Sequence, residues 1–96
     1  MAAFISLVNL TEQGAKDCKA SPDRAAKFKT MAGKFGVKVK DIYWTMGAYD
    51  VVLIMEAPDD EAVVTTMLAL SSLGNVRTQT LRAFNAEELK EIVSKL

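Results

Sequence analysis

The densest grouping of side chains able to do chemistry is Tyr43, Trp44, Tyr49 and Asp50, within the run YWTMGAYD. Tyr and Trp join an apolar body to a polar tip, the combination that pocket walls use. Asp50 beside such rings is a candidate weak general base. In the plainer reading, Trp44 fills a core or an interface, Gly47 shapes a turn, and Asp50 accepts backbone hydrogen bonds. Arg77 and Arg82 form a second grouping, with Thr78 and Thr80 between them. An inward Arg beside Thr hydroxyls can hold a carboxylate or phosphate through two parallel hydrogen bonds. A salt bridge within or between subunits is the simpler alternative. Ser6 is a polar spot in an otherwise oily strand, either lining a cavity or satisfied by water.

The missing residues narrow the chemistry further. The chain has no histidine, so the commonest general base and metal ligand is absent. Neither one subunit nor two can build a Ser–His or Cys–His nucleophile. Cys18 is the only cysteine, which excludes a CxxC pair, a thiolate metal cage and an internal disulfide. Asp59, Asp60 and Glu61 lack the ligand spacing of a calcium loop. No metal and no cofactor is expected.

Twelve Lys and Arg balance twelve Asp and Glu across 96 residues, so no global field favours nucleic acid or an anionic membrane. The charge is nevertheless divided: residues 1–48 hold eight basic and four acidic groups, and residues 49–96 the reverse. A basic early helix beside acidic later ones accounts for that split. Half the residues are apolar and a quarter charged, which excludes disorder and low complexity. The length fits a single domain over residues 1–96, and a chain this short buries only about 60–65% of its unfolded surface. The apolar start MAAFISLVNL lacks a basic n-region and a cleavage site, and no apolar run approaches the ~20 residues of a membrane span. A soluble, cytoplasmic protein, unprocessed apart from Met1, is the expectation.

The elements that must position these residues follow from periodicity. Phe4 to Leu10 reads as a strand apolar on both faces, hence central. Thr11 caps a short helical stretch to about Lys19. Ser21 and Pro22 supply an N-cap and a first helical residue, followed by the stripe Ala25, Phe28, Ala32 and Phe35, with Gly36 as the stop. Val37 to Met46 reads as a strand whose alternation breaks at Lys40-Asp41, where a bulge would reconcile its two halves. Gly47-Ala48 makes a tight turn into a second arm, Tyr49 to Ala57. Pro58-Asp59 opens a helix with carboxylates in its first turn, burying Val63, Met67 and Leu70 with Val64 and Leu68 beside them. Val76 to Phe84 is a wetter strand, and Asn85 with Glu88 starts a terminal helix through a capping box.

Strand, helix, strand, strand, helix, strand predicts an α+β, ferredoxin-like βαββαβ sandwich with a C-terminal helix. Helices cover one face of such a sheet. Yet Ile5 and Leu7 alternate with Phe4 and Val8, and Val52 and Ile54 with Val51 and Leu53, so an apolar face is left without cover. Two copies are expected to pack sheet against sheet as a homodimer, with higher oligomers open.

Four stretches carry a resemblance: FISLVNLTEQG near the start, SPDR from Ser21 to Arg24, YWTMGAYD with its Gly47-Ala48-Tyr49-Asp50, and GNVRTQTLRAF from Gly74 to Phe84. Together they resemble the GYD domain family across nearly the whole chain. The resemblance implies a ferredoxin-like fold that assembles as a dimeric α+β barrel. That wider group includes small monooxygenases, isomerases, haem-dependent enzymes and effector-binding domains, so it implies no single reaction.

Two functions stand beside each other. One is a non-enzymatic module for assembly or for binding a small apolar or aromatic ligand. The other is a cofactor-free dimeric-barrel enzyme, an oxygenase or isomerase acting on a small aromatic or lactone substrate, with Asp50, Tyr43 or Tyr49 moving protons and an Arg holding the oxyanion. RNA binding is excluded, because the third strand offers only aliphatic residues after Tyr49 where base-stacking aromatics are needed.

Overall fold

A computed structural model describes residues 1–96. The chain runs β1 (Ala2–Leu10), α1 (Glu12–Lys16), a 3-10 turn (Cys18–Ala20), α2 (Ser21–Lys34), β2 (Lys38–Trp44), β3 (Val51–Ala57), α3 (Asp60–Ser72), β4 (Val76–Ala83) and α4 (Ala86–Val93). The four strands form one antiparallel sheet in the order β2-β3-β1-β4. This is the expected ferredoxin-like arrangement, with the two most apolar strands in the middle.

Side-chain parity divides the sheet cleanly. Phe4, Ser6 and Val8 of β1 and Val51, Leu53, Met55 and Ala57 of β3 are buried, joining Phe28 and Ala32 of α2 and Val63 and Met67 of α3 in one core. Ile5, Leu7, Val52 and Ile54 alternate with them on the opposite face and stay only half-buried. The bulge falls where the broken alternation placed it: Val39 pairs with Met55 and Asp41 with Ile54, leaving Lys40 as the extra residue. That single insertion puts Val39 and Ile42 against the same core.

Several local expectations need correction. The stretch after Thr11 is a five-residue helix followed by a 3-10 turn, not one helix. Because that turn runs directly into α2, Ser21 already has helical backbone and caps nothing. Its hydroxyl instead accepts a bond from Arg24 Nη2 at 3.3 Å. The hairpin turn is longer than Gly47-Ala48: the Thr45 N–H donates to the Asp50 carbonyl at 2.8 Å, so β2 ends at Trp44 and β3 begins at Val51. On α3, Val64 and Leu68 point outward and Thr66 is buried in their place, its hydroxyl turned back on the Ala62 carbonyl at 2.8 Å. Phe35, at the end of the α2 stripe, is left 39% exposed.

The terminal helix has the expected capping box between Asn85 and Glu88, yet none of its residues is buried. Leu89, Ile92 and Val93 are all exposed. The chain measures 49 × 31 × 17 Å with a radius of gyration of 14.3 Å, larger than the about 12.5 Å expected of a 96-residue globule. No helix is long and apolar enough to cross a membrane.

Candidate functional site

The residues singled out by their chemistry do not converge. Tyr43 and Trp44 are neighbours in β2 and therefore face opposite sides of the sheet. Tyr43 pairs with Val52 on the open face, while Trp44 pairs with Val51 on the helix side. Tyr49 lies in the loop before β3, and its hydroxyl donates to Gln79 Oε1 of β4 at 3.1 Å, reaching across β1. The Asp50 carboxylate accepts the Leu10 N–H at 2.8 Å. Both groups are thus engaged in holding the hairpin end to its neighbours.

The two arginines separate as their parity requires. Even-numbered residues of β4 face the helices, since Arg82 pairs with Phe4, Thr80 with Ser6 and Thr78 with Val8. Arg82 lies over the Phe4 ring at 5.5 Å and the Phe84 ring at 4.5 Å from their centroids. It also meets Glu88 at 3.8 Å and donates to the carbonyls of Ala3 and Ala83. This is an anchor for the start of α4, already supplied with partners. Arg77 pairs with Asn9 on the open face and is exposed. Ser6 is fully buried, and its hydroxyl lies 3.1 Å from that of Thr80. The polar spot is satisfied by a neighbouring strand rather than by a ligand or by water.

Two hollows flank the helices. One is an open groove of about 510 Å³ between α3 and β4, with Arg82, Val64 and Leu68 on its walls. The other is a cavity of about 300 Å³ between α2 and the sheet, walled by Phe28, Met31, Ile42, Leu53 and Trp44 among others. Of the seven residues chosen from the sequence, Trp44 alone lines this second cavity. Arg24, at its edge, went unnoticed, although its spacing offered a signal. It sits one turn before Phe28, so the two share a helix face.

Comparison with known proteins follows this geometry. The GYD domain family model matches residues 4–93. A curated protein of Thermus thermophilus, named glutamine synthetase and cystathionine beta-lyase binding protein, is 38% identical over 90 residues, covering 93% of this chain and 95% of its own. A crystal structure of another Thermus thermophilus protein superposes with a TM-score of 0.58 at 24% identity, covering 90% of this chain and 96% of its own. That last likeness supports the fold alone.

Proposed function

The chain belongs to the GYD domain family, and on that premise we propose that it is a homo-oligomeric binding module for other proteins. In this reading residues 1–96 act as one unit, and two copies close sheet against sheet into a dimeric α+β barrel. The observation that carries it is uncovered apolar surface. The chain exposes 6464 Å², whereas a monomer of its 10.5 kDa is expected to expose about 5,400 Å². The excess of about 1,000 Å² matches the roughly 800 Å² that each partner buries in a standard interface. Much of it belongs to the sheet face of Ile5, Leu7, Val52, Ile54 and Leu81 and to the apolar stripe of α4. At about 25 cal/mol per Å², even ~300 Å² of that face is worth several kcal/mol to whatever covers it.

A protein partner is supported by the relative named for the two enzymes it binds. The enzymatic alternative has less support. Tyr49 and Asp50, which it needs for proton transfer, are held in hydrogen bonds to Gln79 and Leu10.

Charging the open face tests the assembly. Val52→Asp is expected to reduce the particle to a single chain or to unfold it. A variant that stays both folded and assembled would overturn the face assignment.

A further inference from the structure

The cavity between α2 and the sheet holds about 300 Å³ of space, in a chain whose buried core comprises only eleven residues. Protein interiors are close-packed, and voids much larger than a water molecule are rare in them. At ~30 Å³ of liquid volume per water, this space takes about ten heavy atoms. Its walls are apolar, with Phe28 and Met31 from α2 and Ile42 and Leu53 from the sheet. Water filling it would meet few polar partners, so the space favours an apolar occupant.

The polar residues around it are Ser21, Arg24, Lys27 and Asn75, and no acidic residue is among its walls. Arg24 is half-buried. Its Nη2 donates to the Gly14 carbonyl at 3.1 Å and to the Ser21 hydroxyl at 3.3 Å. Those bonds hold the guanidinium in place without neutralising it, because the two salt bridges of the chain are Lys40–Glu56 and Arg82–Glu88. A fixed, partly desolvated guanidinium with no anionic partner, beside an apolar hollow, is complementary to a carboxylate carried on an apolar body.

We propose that this cavity binds an amphipathic monocarboxylate, its apolar body between α2 and the sheet and its carboxylate on the Arg24 guanidinium. The site lies on the opposite side of the sheet from the face assigned to the dimer, so it stands whether or not the chain assembles.

Trp44 makes the test direct. It lines the cavity, is 52% exposed, and is the only tryptophan in the chain. Octanoate, whose ten heavy atoms match the volume, is titrated against the purified full chain while Trp44 fluorescence is followed, with 1-octanol as the uncharged control. A saturable change is expected, with octanoate binding at least tenfold more tightly than octanol, the margin that one charge-assisted pair confers. Arg24→Gln is expected to erase that margin while octanol binding persists. Ala25→Leu, which fills the hollow from α2, is expected to weaken both ligands while the melting transition is retained. The wild-type comparison needs no variant to fold. Absence of a saturable change, equal affinity for acid and alcohol, or an undiminished margin in Arg24→Gln would each overturn the proposal.

Discussion

The carboxylate of Asp50 accepts the backbone N–H of Leu10 at 2.8 Å, and the N–H of Asp50 donates to the Val8 carbonyl at the same distance. The β1–β3 ladder ends at the Val8–Val51 pair, and the Asp50 side chain satisfies the next donor of β1 where backbone pairing has stopped. The aspartate of the Gly-Ala-Tyr-Asp run is therefore a strand terminator. Asp50→Ala leaves the Leu10 N–H unpaired and is expected to cost about 1–3 kcal/mol. In a domain of this size each 1 kcal/mol lowers the melting temperature by roughly 4–8 °C. Asp50→Asn retains an acceptor and is expected to lose less than half as much. Thermal melts check both, and an alanine variant melting with the wild type would contradict this role.

Two glycines should respond oppositely to alanine. A Cβ at Gly14 would stand 2.1 Å from the Asn75 carbonyl oxygen, which is backbone and already accepts the Thr11 N–H at 3.0 Å. Gly33, within α2, has nothing within 4 Å of the same position. Gly14→Ala is expected to separate the β1–α1 corner from the start of β4 and to destabilise by more than 2 kcal/mol, as overpacking does. Gly33→Ala is expected to stabilise by about 0.5–1 kcal/mol through helix propensity. Denaturant unfolding of the two variants reads both signs.

The buried pair of Ser6 and Thr80 invites a double-mutant cycle. Ser6→Ala leaves the Thr80 hydroxyl without its partner at 3.1 Å and is expected to cost about 1–2 kcal/mol. Adding Thr80→Val removes the orphaned group and should restore part of that loss. A double variant as destabilised as the sum of the singles would show that the two hydroxyls do not act as a pair.

What the sequence disclosed follows physical lines. Alternation in β1 and β3 named the central strands, and the parity break at Lys40-Asp41 located the bulge, because both are properties of period and need no partner. Ser21 misled because capping depends on the backbone of the residue before it, which a 3-10 turn had already wound. Val64 and Leu68 seemed inward by hydropathy, but Thr66 could take the buried place by bonding its own helix. The four residues around the hairpin looked like one site because they are close in sequence, whereas a strand sends neighbours to opposite faces. Arg24 was hidden because a hollow is made by elements distant in the chain, and composition does not reveal where packing stops.

The terminal helix gives a prediction that separates the subunit from the assembly. Leu89 is 53% exposed and belongs to no packed face of the single chain. Leu89→Glu should therefore alter the stability of an isolated subunit by no more than about 0.5 kcal/mol. If α4 contributes to the interface, the same substitution weakens association at least tenfold. Dilution series followed by sedimentation velocity would resolve the two effects.

The central claim is that a second copy covers the sheet face of Ile5, Leu7, Val52 and Ile54. Sedimentation equilibrium of the unmodified chain at micromolar concentration tests it most directly. The account predicts a mass of at least twice the 10.5 kDa of one chain, falling on dilution only well below that range. A single 10.5 kDa species that persists as the concentration is raised would contradict it.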